Sequence, residues 1–207
     1  MPQLTLTYFD APGRAEPIRV ALRMAGVAFE DRRLSFPEFG AAKAGGELPL
    51  GQVPMLQVDD LPVVQTGAIL RYAAALGGGA LYPSDPLQAL RVDSALATIN
   101  DTLSHALAPS LFERDPEVKL QMRADFAAGP LVRAYGYIEG LIAASGGPFV
   151  AGASLSIADL VVALQVEQLR SGSLDGLTAD HIAAFPRVLA LADACLADPR
   201  VVAARQV

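Results

Sequence analysis

Residues 48–72 read LPLGQVPMLQVDDLPVVQTGAILRY, and they contain the clearest secondary-structure signals in the first part of the chain. A turn over residues 51–54 leads through an X-Pro bond into the apolar run 55–58. Residues 59–62 have the composition of a turn and precede two valines, so the pattern predicts a β-hairpin. A helix is expected to follow, with Thr66 as its N-cap.

Two features of this stretch favour a ligand site. Pro54 cannot donate to a sheet ladder, and a cis bond before it would let the backbone of Val53 pair with an extended, peptide-like ligand. The start of the next helix offers free N–H groups and a positive dipole end, which suit a carboxylate. A plain hairpin and helix with an incidental proline explains the same residues. Both interpretations stay open on this stretch alone.

The composition is that of a folded, acidic protein. The 207 residues are 52% hydrophobic and 18% charged, which is enough for one or two domains with a proper core. A net charge of −6 argues against nucleic acid or an anionic membrane as the main partner. Cys195 is the one cysteine, so an internal disulfide or a CxxC pair is excluded. With no signal-peptide pattern and no apolar run of transmembrane length, we expect a cytoplasmic location.

The residues before the hairpin follow a strand–helix–strand order. Residues 3–9 alternate weakly in hydropathy, as a strand does, and residues 14–25 carry apolar side chains at helical spacing. Residues 29–34 are predicted to form a second strand, and residues 36–44 a short helical or irregular piece. The predicted order is therefore β-α-β followed by β-β-α.

Glycine and proline mark a linker at residues 78–85. Residues 1–77 are therefore expected to form an α/β domain. Residues 86–207 show no strand pattern and are expected to form an all-helical domain. Helices are predicted over residues 86–111, 117–144, 155–171 and 183–197, and the second of them is expected to break or kink at Gly129 and Pro130.

A capping pattern marks one helix start in the second domain. Ser156 is placed to cap the helix, Asp159 lies at the third helical position to answer it, and Leu155 can pack on Leu160. We interpret this set as a folding element rather than a catalytic pair. Loss of such a cap costs on the order of 1 kcal/mol.

Four motifs in this order resemble the cytosolic glutathione transferases. They are LTYFDAPGRAEPIRVAL at residues 6–22, LGQVPML at 50–56, QTGAILRY at 65–72 and LSIADL at 155–160. The first motif is most similar to the sigma class. The resemblance implies a thioredoxin-like first domain that binds glutathione as co-substrate, and a helical second domain that supplies most of the pocket for the other substrate. It also implies a homodimer and no metal.

The resemblance implies that Tyr8 carries the chemistry and that Arg14 lines the active site. A donor at the glutathione sulfur favours the thiolate, which is the nucleophile. A core-edge tyrosine with a satisfied hydroxyl is the alternative for Tyr8. Arg14 opens the first predicted helix, where the helix dipole disfavours a cation, so its position indicates a function. A solvated arginine is the alternative.

The family pattern also assigns the glutathione contacts. Phe39 stands where sigma enzymes have tryptophan, and Thr66 replaces a serine but keeps the hydroxyl. Lys43 and Asp101 fit a solvated surface nearly as well as a binding role. The implied contacts are Tyr8, Phe39, Lys43, Gln52, the backbone of Val53 with cis Pro54, Gln65, Thr66 and, reaching across to the partner subunit's glutathione, Asp101.

The pocket for the second substrate is poorly specified by the sequence. The resemblance assigns it to Phe9, Arg14, Leu103 and Ala108. Leu50 occupies the position where several classes carry an aromatic key into the partner subunit. His105 has no companions at metal-ligand spacing.

The expected activity is conjugation of glutathione to apolar electrophiles. A glutathione-dependent peroxidase or isomerase reaction, and a non-catalytic ligand-binding protein on the same fold, are the alternatives. A thiol–disulfide reductase is disfavoured because no cysteine precedes Cys195.

Overall fold

A four-stranded mixed sheet carries the first part of the chain, and helices make up the second. The computed structural model describes residues 2–206, except for the side chains of residues 103 and 104. The chain divides into two units, Met1–Ala80 with Ala203–Val207 and Leu81–Val202. The predicted fold class, an α/β domain followed by a helical one, is confirmed.

The sheet has the order β2-β1-β3-β4. Strand β1 is parallel to β2 and antiparallel to β3, and β3 forms a hairpin with β4. Leu6 of β1 pairs with Leu56 of β3, and both are fully buried. The elements of this unit are β1 Leu4–Phe9, α1 Glu16–Met24, β2 Glu30–Leu34, α2 Phe36–Ala44, β3 Met55–Val58, β4 Leu61–Val64 and α3 Thr66–Leu76.

The hairpin is tighter than the sequence indicates. Strand β4 begins at Leu61 and includes Pro62, so the turn consists of Asp59 and Asp60 rather than four residues. Asp59 has a φ of +50°, which a short polar side chain tolerates better than most. Pro62 is accommodated because β4 is an edge strand, where a missing N–H removes no ladder bond on the open side.

Two helix starts differ from the prediction. Residues 13–15 form a 3-10 turn, and α1 begins only at Glu16, so Arg14 precedes the α-helix instead of opening it. Thr66 is already the first helical residue of α3, and Gln65 occupies the N-cap position without a side-chain cap bond. The expectation that Thr66 is the N-cap is therefore wrong by one residue.

The helical unit contains two π-helical segments. The predicted helix 86–111 is interrupted at Thr102–Leu107, and the predicted helix 117–144 at Ala127–Leu131, where a break was expected. Pro109 and Pro130 cannot donate to the carbonyl four residues earlier, and a wider turn relieves this loss. The α-helices after the linker are α4 Pro86–Asp101, α5 Ala108–Phe112, α6 Pro116–Phe126, α7 Val132–Ser145, α8 Ile157–Arg170, α9 Pro186–Ala197 and α10 Pro199–Arg205.

Two short segments were missed by the sequence patterns. They are the 3-10 turn Ala179–Ile182 and helix α10. Both are shorter than the window of roughly 11–18 residues over which helical periodicity is recognised. Within residues 2–206, no helix has the length and apolar character needed to cross a membrane.

The start of helix α8 is stabilised by the buried carboxylate of Asp159. Asp159 is fully buried, and its Oδ2 accepts hydrogen bonds from the backbone N–H of Ser156 at 2.7 Å and from the Ser156 hydroxyl at 2.6 Å. Its Oδ1 accepts from the backbone N–H of Val150 at 2.9 Å. The predicted capping pair is thus confirmed, and it also ties the preceding loop to the helix. Burial raises the pKa of Asp159 to about 6, against the lowering effect of these hydrogen bonds.

We expect Asp159 to make the stability depend on pH in a defined direction. Its native pKa lies above the unfolded value, so the native state binds the proton more tightly. The free energy of unfolding of the wild type, relative to Asp159→Asn, should therefore fall as the pH rises from about 4 to 6, by at most about 3 kcal/mol, and then stay constant. Urea titrations of both proteins across this range measure it. A difference that grows with pH would show that the hydrogen bonds outweigh burial.

Candidate active site

Tyr8 lies at the carboxyl end of β1, and its hydroxyl is already engaged on one side. The side chain is 9% exposed. Its hydroxyl oxygen accepts a hydrogen bond from the backbone N–H of Arg14 at 3.2 Å. Because the oxygen is the acceptor in this bond, the hydroxyl proton stays available for another partner. Arg14 thus contacts Tyr8 through its backbone.

Gly13 allows this contact by its lack of a side chain. Its φ is +42°, and a Cβ at this position would lie 2.6 Å from the Tyr8 hydroxyl oxygen and 2.9 Å from Cε1 of the ring. Both distances are below van der Waals contact, so only glycine permits the loop to close over the tyrosine.

The register of two ladders places three segments at the same end of the sheet. Thr7 pairs with Met55, and Met55 pairs with Val64. The residues that follow Thr7, precede Met55 and follow Val64 must therefore lie at the same end of the sheet. Tyr8, the Val53–Pro54 turn and the Gln65–Thr66 helix start are the residues brought together in this way.

The Val53–Pro54 peptide bond is cis, as the family resemblance implies. Val53 and Pro54 are buried, whereas Gln52 is exposed. Val53 lies outside the ladder, because the β1–β3 pairing ends at Met55. Its backbone thus lies beyond the last ladder pair, at the end of the sheet where Tyr8 also lies.

Gln65 adopts an unusual backbone conformation at the start of α3. Its φ of +82° lies in a region that favours glycine. Such strain tends to occur where a site requires it. Thr66 is buried and Gln65 exposed, and both stand at the end of a helix whose first N–H groups have no partner within the helix.

Helix α2 brings an aromatic and a cationic side chain to the same region of this unit. Phe39 lies 5.0 Å from the ring centroid of Phe9, which is itself 5.4 Å from that of Tyr8. Lys43 lies against the loop before the cis proline, since a Cβ on Gly51 would be 2.9 Å from its Cε. The structure therefore places Phe39 and Lys43 beside the segments that the resemblance assigns to glutathione.

Phe36 belongs to the same aromatic cluster and was not singled out from the sequence. Its ring centroid lies 5.1 Å from that of Phe9, yet the residue is 71% exposed. An exposed phenylalanine beside candidate site residues is a usable signal, but exposure is not visible in the sequence.

Arg19 is a second residue that sequence reasoning missed. It is 1% exposed, although it lies on a helix between the apolar Ile18 and Val20. Its Nε donates to both carboxylate oxygens of Asp31 at 3.1 Å. A charged residue within an apolar helical run could have indicated a buried, paired arginine, because charged side chains are rarely buried without a partner.

The remaining assigned residues lie in the helical unit. Asp101 is the exposed last residue of α4, and Ala108 is the half-buried first residue of α5. The side chain of Leu103 lies outside the described residues. Across the described chain, no three His, Cys, Asp or Glu side chains are grouped to hold a metal ion.

Sequence models of both glutathione S-transferase domains match this chain, the N-terminal domain over residues 4–75 and the C-terminal domain over residues 100–205. Glutathione S-transferase 1 of Ascaris suum is 34% identical over 167 residues, which cover 78% of each chain. This chain belongs to the glutathione S-transferase family. It is a transferase that uses glutathione as co-substrate.

Solved structures of other glutathione S-transferases and related enzymes agree with this assignment. The prostaglandin D synthase of Nilaparvata lugens superposes with a TM-score of 0.83 at 27% identity, covering 99% of this chain and 98% of that one. A monomeric transferase from Necator americanus superposes with a TM-score of 0.82 at 27% identity, covering 99% and 96%.

Replacing Gly13 by alanine should reduce activity far more than a matched glycine replacement. The added Cβ would collide with Tyr8, and a displacement of the hydroxyl on the order of 1 Å can cost roughly 100-fold in rate. The control is Gly26→Ala, because Gly26 also has a positive φ, +67°, but a Cβ there meets nothing within 4 Å. Both variants should lose about 1–2 kcal/mol of stability through backbone strain. Equal kcat/KM values for the two variants would contradict the role assigned to Gly13.

Proposed function

We propose that this glutathione S-transferase activates glutathione through Tyr8 and adds it to an apolar electrophile. The hydroxyl of Tyr8 donates a hydrogen bond to the glutathione sulfur and so favours the thiolate. The thiolate forms a bond to the electrophilic carbon, and the leaving group departs with the electron pair of the bond that breaks. The observation that carries the proposal is the convergence of Tyr8, the cis-proline turn and the start of α3.

The same convergence suggests how glutathione is held. An extended γ-glutamyl peptide can pair with the backbone of Val53 beside Gln52, much as a strand pairs with a sheet edge. The γ-glutamyl carboxylate is assigned to Gln65, Thr66 and the free N–H groups at the start of α3, where the helix dipole favours an anion. Lys43 is assigned to the glycyl carboxylate.

Two departures from the sigma pattern are expected to be tolerated. Thr66 keeps the hydroxyl acceptor and donor of the serine it replaces. Phe39 has no indole N–H, so it can contribute packing but no hydrogen bond. We therefore expect glutathione to bind with the Phe39 contact reduced to an apolar one. We also propose that the protein belongs to the sigma class.

Tyr8→Phe should raise the pKa of the thiol of bound glutathione by about 1 to 2, because a hydrogen bond to a charged group contributes about 1.5–3 kcal/mol. The ultraviolet absorbance of the thiolate, followed over pH in the binary complex, measures this value directly. The pH dependence of kcat/KM with a chlorinated dinitrobenzene should shift by the same amount, and chloride is the leaving group in that reaction.

Calorimetry of glutathione binding provides the control. Affinity should change little, because the other contacts remain in place. An unchanged thiol pKa in Tyr8→Phe would contradict the role of Tyr8. Binding without turnover on a panel of electrophiles and peroxides would favour the non-catalytic ligand-binding alternative.

The wider organisation is proposed from the family resemblance. Residues 1–77 bind glutathione, residues 78–85 link the domains, and residues 86–207 supply the second-substrate pocket. Phe9, Arg14, Leu103 and Ala108 are assigned to that pocket. A cytoplasmic role in detoxification is consistent with one cysteine and the resemblance to cytosolic transferases.

We also propose a homodimer in which Asp101 reaches the glutathione amine of the partner subunit. The exposed carboxylate at the end of α4 supports this, whereas the Necator americanus relative is described as monomeric. Asp101→Asn should weaken glutathione binding about tenfold, since a charged hydrogen bond is lost. Glu117→Gln, an exposed acid on α6, is the control and should bind normally. Sedimentation as a monomer at assay concentration would exclude the contact across subunits.

A further inference from the structure

Arg19 contacts the loop that leads to Tyr8 as well as its ion-pair partner. Its Nη1 donates to the carbonyl oxygens of Ala11 at 2.9 Å and Pro12 at 3.3 Å. The same nitrogen donates to Oε2 of Glu16 at 3.2 Å. The guanidinium of a nearly fully buried residue thus holds two successive carbonyls of an irregular segment.

A chain of ion pairs extends this contact to the first residue of the loop. Asp31 accepts from Arg19 and, through Oδ2, from Nη2 of Arg33 at 2.9 Å. Arg33 also donates to Oδ1 of Asp10 at 2.8 Å. Hydrogen bonds to Asp10 and Asp31 raise the pKa of Arg33 above its usual value. Residues 10–12 are therefore held at three successive positions by one connected network, which we name the loop network (Asp10, Arg33, Asp31, Arg19).

The segment held by the loop network runs directly into the contact with Tyr8. Gly13 follows Pro12 and lies against the tyrosine ring, and the backbone N–H of Arg14 donates to the hydroxyl oxygen. A shift of the carbonyls at positions 11 and 12 would move this N–H. The position of the Tyr8 hydroxyl thus depends on groups that do not touch it.

We propose that Arg19 is a positioning residue for Tyr8, acting through the carbonyls of Ala11 and Pro12. The inference rests on the proposed role of Tyr8 as the donor to the glutathione sulfur. Arg19 keeps the loop where the Arg14 N–H occupies one side of the tyrosine oxygen, so that the hydroxyl proton is directed to the ligand. Loss of this order weakens thiolate formation without removing any group that touches glutathione.

A purely stabilising role explains the arrangement less well. Replacing a buried ion pair by apolar groups is often neutral or stabilising, so burial of charge alone is a poor stabiliser. The Nη2 of Arg19 is buried and has no hydrogen-bond partner within the described residues, which adds a desolvation penalty. A planar guanidinium can reach the Asp31 carboxylate through Nε and the loop carbonyls through Nη1 at the same time, whereas the single nitrogen of a lysine cannot occupy both places.

The principal test compares Arg19→Lys with Arg123→Lys. Lysine at position 19 keeps the charge opposite Asp31 but loses the fork that reaches the loop carbonyls. Arg123 is a matched control, because it is also buried, donates to a backbone carbonyl, that of Asp175, and lies in the helical unit. The readouts are the thiolate absorbance of bound glutathione against pH and the pH profile of kcat/KM.

We expect Arg19→Lys to raise the thiol pKa by about 0.5 to 1, which lowers kcat/KM roughly three- to tenfold at pH values below the transition. At high pH, where the thiolate forms in any case, kcat/KM should stay within about twofold of the wild type. Arg123→Lys should lower the melting temperature without moving the thiol pKa. A uniform loss of activity at all pH values in Arg19→Lys, or an equal shift in both variants, would overturn the proposal.

Two further variants test the proposal even if Arg19→Lys does not fold or is hard to interpret alone. Arg33→Gln removes the ion pairs of Arg33 with Asp10 and Asp31, and this variant should fold even if Arg19→Lys does not, because Arg33 is an exposed residue. It should shift the thiol pKa in the same direction by a smaller amount, and no shift would count against the loop network. In a Tyr8→Phe background Arg19→Lys should produce no additional shift, because its effect passes through the hydroxyl.

Failure of the two proposals can be told apart. If Tyr8→Phe leaves the thiol pKa unchanged, the proposed function fails at its first step. If Tyr8→Phe raises it and Arg19→Lys does not, Tyr8 keeps its role and only the positioning by Arg19 is lost.

Discussion

Met55 is paired on both sides, with Thr7 of β1 and with Val64 of β4, and the candidate active site depends on this double pairing. Side chains alternate along a strand, so a slip of one residue in the β1–β3 ladder would turn an apolar face out of the core. The buried Leu6–Leu56 pair opposes such a slip. The hydrophobic core thus determines which backbone groups meet at the end of the sheet, before any ligand is present.

Buried charge organises the irregular segments in both units. Arg19 offers donors to carbonyls of the loop after β1, and Asp159 offers acceptors to N–H groups around the start of α8. Segments without regular structure leave backbone groups unpaired, and burying such a group without a partner costs free energy that a hydrogen bond from a side chain offsets. An apolar residue could fill the same space but could not order the chain. Arg19 and Asp159 differ in the segment that each one orders. The segment held by Arg19 continues to Arg14, whose backbone N–H contacts Tyr8, whereas Asp159 orders the start of α8.

Family membership accounts for the fold and for the use of glutathione. At 27% identity most positions differ from those of the Nilaparvata lugens enzyme, yet the two backbones superpose with a TM-score of 0.83. A core tolerates many substitutions when volume and hydrophobic pattern are kept. Positions around Tyr8 are less free, because Gly13 is required by a close contact and Gln65 is held at an unusual φ.

Features that depend on neighbours along the chain are predictable from the amino-acid sequence. The hairpin, the proline turn, the capping pair at Ser156 and the α/β-then-helical order all follow from spacings of a few residues, and the structure bears them out. The exact start of α3 at Thr66 was missed by one residue, because the strained Gln65 is set by the sheet as well as by local preference.

Which side chains are buried, and which of them meet across helices, strands and loops, depends on the packing of the whole chain. Arg19 contacts partners eight and twelve residues away, on a loop and on a neighbouring strand, and no local pattern records such pairs. Phe36 stays exposed beside Phe9 for the same reason, since exposure is settled by what the other elements leave uncovered. Short-range periodicity specifies elements, whereas the burial of charge and the grouping of a site depend on long-range packing.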